Sequence, residues 1–238
     1  MTNHDCHMSE IRTFCSEWKK LADYTGDHVP EPNTRILSLV RLWRHDVSCQ
    51  WRRKSLPANF GGYRRKLDGK NVTPEHELEK ELFAAYENHD LKIEGYESLD
   101  LLGNAFPLAN KRTVEADLIA IGKKSQDSDM LLVEVKNEAD NAWHAVVENL
   151  LQLKLFKENY DGNLGLLRSK FSSRVQGNPT LRGLVLAPEI FFEKKNKQFN
   201  AKKPAFDLAT RFRDDFGVQV LLGRWEKQSS EIKLIHHV

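Results

Sequence analysis

The hydrophobic pattern near the middle of the chain predicts two neighbouring β-strands. Residues 114–121 and 130–136 are mostly apolar, and the spacing between them is normal for a hairpin. Alternate side chains of a strand point to opposite faces, so Val133 and Val135 on the second strand are expected to point into a core. We therefore expect the two strands to lie side by side.

Both strands carry charged side chains on one face. Glu115 and Asp117 lie two residues apart on the first strand, and Glu134 and Lys136 lie two apart on the second. Charges this close to a buried strand are costly unless they are paired or bind a cation. Side by side, the strands would form a small acidic pocket with one lysine at its rim, which is the chemistry of a divalent-metal phosphodiesterase.

Helical spacing of apolar residues predicts helices before and after these strands. It is seen over residues 9–24 and 34–47, which a proline-containing break separates, and over a long segment at 140–160. Another helix is predicted to begin at Thr73-Pro74, because Thr is a good N-cap and Pro is favoured at the first helical position. The remaining predicted elements are one or two strands over 91–102, a strand over 181–186, a helix over 206–216, and strands over 218–222 and 232–236. This order alone predicts an α/β or α+β protein.

Composition places the chain among soluble globular proteins. Of its 238 residues, 40% are hydrophobic and 29% are charged. No apolar run approaches the roughly 18 residues of a membrane span, and the polar N-terminus is unlike a secretory signal. The three cysteines have no CxxC spacing, which argues against a disulfide framework or an iron–sulfur cluster. We expect a cytoplasmic protein with no membrane partner.

Positive charge is concentrated between Arg41 and Lys70. This segment has nine basic residues against two acidic ones, although the net charge of the whole chain is only +2. Aromatic residues are interleaved with the basic ones, a mixture that suits phosphate contacts and stacking on bases. The alternative is a solvated face whose aromatic side chains pack inward. The candidate DNA-binding residues are Arg52, Arg53, Lys54, Arg64, Arg65 and Lys66.

Asp117 and the tripeptide Glu134-Val135-Lys136 together resemble the signature of the PD-(D/E)xK nuclease superfamily. That signature is an Asp on one strand and (Asp/Glu)-x-Lys on the next, often with a Glu on a preceding helix. The segment that begins at Gln152 resembles the Gln-x-x-x-Tyr motif of the exonuclease-like branch, with Phe156 in place of the tyrosine. The resemblance covers roughly residues 73 to 222.

The resemblance implies a restriction endonuclease-like fold, in which helices flank a mixed central β-sheet. Residues 73–238 would form this core, and residues 1–72 would form a helical, basic N-terminal extension. The order of the predicted elements agrees with that arrangement.

The resemblance also implies a bound metal ion. Asp117, Glu134 and the backbone carbonyl of Val135 would be its ligands, because hard cations such as Mg²⁺ or Mn²⁺ prefer oxygen donors. The metal would polarise the scissile phosphate and lower the pKa of an attacking water. Glu115 shares a face with Asp117 and would either join this site or pair with Lys136. The alternative is a structural network of ion pairs that binds no metal.

Other side chains take roles from the same resemblance. Lys136 would orient the attacking water and stabilise charge on the phosphate, since nearby carboxylates keep a lysine protonated. Gln152 would hold the water or a DNA phosphate. Glu79 is the first candidate for the helix acid, with Glu75 as the alternative. His144 is close in sequence but is expected to be a bystander.

These residues together predict a Mg²⁺-dependent deoxyribonuclease. We expect an endonuclease that acts on DNA in restriction or other defence, mobile-element function or repair. A double-strand break made with one site per chain would favour a homodimer. The chain has no Walker motif, so any ATP-driven step would need a separate ATPase or helicase partner.

Two alternatives remain open from the sequence. One is a nucleic-acid-binding module that keeps the nuclease fold without catalysis, because fold does not determine function. The other is an unrelated α/β protein whose acidic strands form salt bridges to Lys123, Lys124 or Arg112. In that case Asp117 and Glu134 would not face each other across paired strands.

Overall fold

A computed structural model describes residues 3–23, 31–45, 56, 60–61, 73–109, 114–137, 141–193 and 202–235. Its helices are α1 (Asn3–Ala22), α2 (Pro32–Arg44), α3 (Pro74–Glu87), α4 (Ala142–Glu158), α5 (Tyr160–Phe171), α6 (Glu189–Glu193) and α7 (Lys202–Phe216). Its strands are β1 (Lys92–Ile93), β2 (Ser98–Pro107), β3 (Glu115–Lys123), β4 (Ser128–Val135), β5 (Thr180–Ala187), β6 (Val220–Glu226) and β7 (Glu231–Leu234).

The seven strands form one mixed sheet in the order β1-β7-β6-β5-β4-β3-β2. Strands β4, β5 and β6 are parallel, whereas β3 is antiparallel to both β2 and β4. Strand β7 is antiparallel to β6 and parallel to β1. A mixed sheet flanked by helices was predicted, and that architecture is confirmed.

Helices cover both faces of the sheet. Leu132 of β4 belongs to the core beneath α4, whereas Val133 and Val135 belong to the core beneath α3. Successive side chains of β4 therefore alternate between the two cores, and the two valines point into a core as predicted. By the same alternation, Glu134 and Lys136 lie on the α4 side.

Local signals located several elements correctly. The Thr73 hydroxyl accepts a hydrogen bond from the His76 N–H at 3.3 Å, and Pro74 follows as the first helical residue, so the predicted start of α3 is confirmed. The predicted helix over residues 140–160 is also confirmed. Helix α5, which follows it after Asn159, was not predicted, because its two glycines and several polar residues obscure the helical pattern.

The first two helices pack on the back of α4. Trp18 of α1 is fully buried, and its indole Nε1–H donates to the Val147 carbonyl of α4 at 2.7 Å. In return, the Trp143 indole Nε1–H of α4 donates to the Leu21 carbonyl at 2.9 Å. Helices α1 and α2 therefore share one hydrophobic core with α4 and α7.

Two aromatic residues of the basic segment are core residues. Trp43 is 5% exposed and packs edge-on against Phe212, and Phe60 is 2% exposed against Phe106. At these positions the inward-packing alternative is correct, and neither ring is available to stack on a base. The six candidate DNA-binding residues, together with Trp51 and Tyr63, lie outside the described residues.

Within the described ranges, no helix has both the length and the apolar character needed to cross a membrane.

Candidate active site

Strands β3 and β4 separate at the position where the predicted acids lie. Their ladder ends at the pair Leu118–Val133, and the same register places Asp117 opposite Glu134. Beyond this pair, β3 continues along β2 and β4 continues along β5. Asp117 and Glu134 therefore face each other where the two strands separate, a position we call the fork.

Backbone groups that the fork leaves unpaired are bound by side chains. The Val135 N–H donates to the Asp117 carboxylate at 2.9 Å. The side-chain amide of Gln152 donates from its nitrogen to the Glu115 carbonyl at 3.0 Å and to the Glu134 carboxylate. Gln152, which is 3% exposed, thus fills the space between the strands, close to both acids.

Asn149 fixes the orientation of Gln152. Its amide nitrogen donates to the Gln152 Oε1 at 3.1 Å and to the Leu132 carbonyl at 2.9 Å. Because the Gln152 oxygen accepts from Asn149, its nitrogen is directed toward Glu134. Gly183 of β5 permits this contact, since a Cβ there would overlap the Asn149 side chain. Asn149 was not predicted as a site residue.

Lys136 lies among three carboxylates. Its Nζ is 2.7 Å from Glu134, 2.9 Å from Glu148 and 4.0 Å from Glu75. Burial favours the neutral amine, but the charges of Glu134 and Glu148 outweigh it and raise the pKa of Lys136 above its ordinary value. The side chain is therefore an ammonium ion at neutral pH, which favours the orienting role over that of a base.

The Glu134 carboxyl is buried beside other negative charges. Desolvation and the nearby charge of Asp117 raise its pKa well above the ordinary range, although Lys136 works in the opposite direction. Like charges that are held together in this way are the setting in which a bound cation would be stabilising.

Glu148 is a site residue that the sequence analysis did not single out. It accepts from Lys136, and its carboxylate lies 3.3 Å from the Nε2 of His144. Burial alone would raise its pKa, but the contacts with His144 and Lys136 lower it. Its position four residues before Gln152, on the same helix face, was the available signal. His144, which was expected to be a bystander, therefore contacts Glu148, the carboxylate that binds Lys136.

The predicted helix acids lie in different surroundings. Glu79 is fully buried and accepts a hydrogen bond from the Asn104 side-chain amide at 3.2 Å. Glu75, the alternative, lies at the first turn of α3 near Lys136. Phe156, at the motif position of the tyrosine, is buried and packs between Phe106 and Tyr160.

The donor set for a metal ion is small. Among the described residues, no three His, Cys, Asp or Glu side chains are grouped closely enough to hold a metal by themselves. Asp117 and Glu134 nevertheless supply two hard oxygen donors. The N–H of Val135 faces Asp117, and in a strand the carbonyl of a residue leaves on the same side as its N–H. The predicted set of two carboxylates and one carbonyl is thus compatible with Mg²⁺.

Comparisons with known proteins do not identify the chain. No protein-family model, no curated protein and no solved structure matches it significantly. Function is therefore inferred from the residues of the site.

Proposed function

We propose that this protein is a metal-dependent deoxyribonuclease with a restriction endonuclease-like fold, and that it cleaves internal phosphodiester bonds. The observation that carries the proposal is the fork itself, where Asp117 and Glu134 face each other and Lys136 follows on the same strand face. A buried carboxylate, a half-buried one opposite it and a protonated lysine beside them form a group suited to phosphodiester hydrolysis, because the desolvation cost of burying charges is high for a purely structural ion pair.

Asp117, Glu134 and the Val135 carbonyl would hold Mg²⁺ or Mn²⁺. When bound, the ion would supply Lewis-acid stabilisation of the negative charge that develops on the phosphate. The chain's own contribution is to hold these oxygen donors rigidly. Gln152 does so for Glu134, and the Val135 N–H does so for Asp117.

Lys136 would act on the substrate phosphate. Its ammonium group can donate to a phosphate oxygen and to the attacking water, and its charge offsets the negative charge of the transition state. Glu134 and Glu148 both contact it, so the flexible side chain has a defined position. A protonated lysine does not accept the water's proton, so proton removal falls to another group or to solvent.

The basic N-terminal segment supports DNA as the substrate. Its excess positive charge would contact the phosphate backbone without reading sequence. A double-strand break would require two such sites, which favours a homodimer, and an ATP-driven step would require a separate ATPase or helicase.

Nicking of supercoiled plasmid tests the proposal. Wild type, Lys136→Ala and the control Lys123→Ala, whose lysine pairs with Asp100 at the far end of β3, are each incubated with Mg²⁺, Mn²⁺ or EDTA. We expect metal-dependent nicking by wild type and the control, and a loss of at least 100-fold in Lys136→Ala. Equal nicking by all three proteins would refute the assignment of this site.

A second candidate is a DNA-binding module that keeps the nuclease fold without cleavage. The observation in its favour is that both oxygens of Glu134 are already engaged, one by Lys136 and the other by Gln152. Such a module would bind DNA equally well in Mg²⁺ and in EDTA, and Lys136→Ala would leave that binding unchanged. Gel-shift titration under both conditions separates it from the nuclease.

A further inference from the structure

A second cluster of charges lies at the opposite end of β4 from the fork. Asp129 near the start of this strand is 2% exposed, and one of its oxygens, Oδ2, has three partners. The Tyr96 hydroxyl donates to it at 2.7 Å, the Lys124 ammonium lies at 2.7 Å and the Arg182 Nε lies at 2.8 Å. Asp129 and Glu134 are five positions apart along the strand, which corresponds to about 17 Å.

One carboxylate thus contacts two cations, so Asp129 alone does not balance the charges of Lys124 and Arg182. Burial would raise the pKa of Asp129, but the bonds from Lys124, Tyr96 and Arg182 outweigh it and lower the pKa, so the carboxyl is ionised at neutral pH. Its single negative charge neutralises only one of the two cations. A partly buried cation without a counterion is unfavourable, and an anionic ligand would relieve it.

The Arg182 guanidinium has hydrogen-bond donors that its pair with Asp129 does not use. Among the described residues, its ion pair with Asp129 is its only hydrogen-bonding or ionic contact, and this pair uses Nε. The two terminal nitrogens of the guanidinium group remain available. They form a planar fork that matches the oxygens of a phosphate group. Lys124 also keeps donors free, since its contacts are Asp129 and the face of the Tyr96 ring.

The three partners of Asp129, namely Tyr96, Lys124 and Arg182, line a cavity of about 400 Å³ at the beginning of β5 and β6. We call it the Asp129 pocket; its wall contains Tyr96, Lys124, Arg182, Phe206, Arg213 and Leu221. The volume is within the range of small-molecule sites and is much larger than a single ion needs.

The rest of the wall is largely apolar, with two further charged groups. Arg213 of α7 adds a cation that is paired with Asp214. Glu94 adds a carboxylate that accepts the Leu234 N–H at 2.8 Å, a group better suited to hydroxyl or amino donors than to a second anion. A ligand with one anionic end and an apolar, hydroxyl-bearing body fits this distribution.

We propose that the Asp129 pocket binds a small phosphate monoester with a flat apolar body, of the size of a mononucleotide. The phosphate would lie against Arg182 and Lys124, and the body would lie along the aromatic and aliphatic wall that includes Phe206 and Leu221. This site is separate from the fork, and the proposal does not depend on the nuclease function.

Isothermal titration calorimetry in EDTA tests it with AMP, ribose 5-phosphate, adenosine and inorganic phosphate. EDTA removes any contribution from divalent cations at the fork. We expect AMP to bind at least tenfold more tightly than each of the other three compounds. Absence of saturable AMP binding by wild type would overturn the proposal. Equal affinities for ribose 5-phosphate and AMP would overturn the assignment of a flat apolar body to the ligand.

Variants locate the binding. Arg182→Gln is expected to lose at least tenfold in AMP affinity, whereas the control Arg211→Gln, whose arginine pairs with Asp215 on α7 away from the pocket wall, should bind as wild type does. Lys124→Gln, at a partly exposed position, provides a second test if Arg182→Gln fails to fold. Unchanged affinity in a folded Arg182→Gln or in Lys124→Gln would refute the site. Glu134→Gln should keep full affinity, because it lies at the other end of β4.

Discussion

The side-chain amide of Gln152 on α4 donates a hydrogen bond to the Glu134 carboxylate on β4, at the point where β4 leaves β3. The same nitrogen also bonds the Glu115 carbonyl of β3, so one side chain joins both strands of the fork. The backbone pairing of β3 with β4 ends at Leu118–Val133, just before this position. The position of Glu134 therefore depends on a residue of α4, whereas Asp117 is held by the Val135 N–H.

Replacing Gln152 by Leu should destabilise the protein. A buried carboxylate oxygen and a carbonyl would lose their donor, which costs about 2–3 kcal/mol. Urea unfolding measures the change. The control Gln176→Ala removes an exposed amide after α5 and should stay within about 0.5 kcal/mol of wild type. Equal effects of the two variants would mean that Gln152 does not stabilise the fork.

Magnesium should stabilise the folded protein through the two acids of the fork. For a dissociation constant of about 1 mM, 10 mM Mg²⁺ would add about 1.4 kcal/mol to the free energy of unfolding. Asp117→Asn and Glu134→Gln should lose this gain. Asp100→Asn should keep the gain in stability. This control removes an acid of β2 that pairs with Lys123 of β3, away from the fork. A gain that survives in Asp117→Asn would place the metal elsewhere.

Glu148 should affect cleavage through the position of Lys136. Glu148→Ala removes one of the two carboxylates within 3 Å of the lysine and is expected to slow single-turnover plasmid nicking about 10- to 100-fold. Glu148→Gln keeps an acceptor for the lysine and should recover part of the rate. Asp207→Ala, which removes the partner of exposed Lys203, is the matched control and should have no effect. Identical rates for Glu148→Ala and Glu148→Gln would argue against positioning.

Asp129 should make stability depend on pH in the acid range. Its pKa is lower in the folded state than the unfolded value of about 3.9, so its contribution is complete above that value. The contribution is lost as pH falls through the folded-state pKa. Asp129→Asn should therefore be less stable than wild type by about 2–3 kcal/mol at pH 7. The difference in unfolding free energy should shrink below pH of about 4, and a constant difference down to pH 2 would contradict the ion-pair role.

The basic segment should determine the salt dependence of DNA binding. Neutralising Arg64, Arg65 and Lys66 together would remove up to three phosphate contacts and reduce the slope of log K against log salt by as much as about 2.7. Fluorescence anisotropy at several salt concentrations measures the slope. The control set is three lysines that already pair with acids, namely Lys123, Lys203 and Lys227. An equal change of slope in both triple variants would mean that the segment does not contact DNA.

The parts of the fold that were predicted correctly have local signals. Thr73 and Pro74 define a helix start within one turn, and the valines of β4 reveal their buried face by alternation alone. The strands that carry Asp117 and Glu134 were predicted to be neighbours because their spacing is normal for a hairpin, and the pairing of β3 with β4 confirms this. The sheet order and helix α5 were not predicted, since the first depends on long-range pairing and the second has a weak apolar pattern.

The candidate site divides in the same way. The sequence singled out Asp117, Glu134 and Lys136 on the two strands, but not the contact between Lys136 and Glu148, which joins β4 to α4. It depends on how α4 is rotated on the sheet, which no local pattern specifies. The Tyr96–Asp129 bond is similar, because its partners are 33 residues apart and meet only when the sheet has formed.

The hydrogen bond from Trp18 to the Val147 carbonyl limits how far the chain can be shortened from its N-terminal side. Val147 is adjacent to Glu148 and one turn before the fork's glutamine, so α1 supports the helix that holds the site in place. A chain trimmed to begin at Thr73 would leave the buried Trp143 face of α4 open to water. Helix α1 therefore belongs to the smallest folded unit that keeps α4 in place, and we expect substitutions within it to alter the candidate site without contacting it.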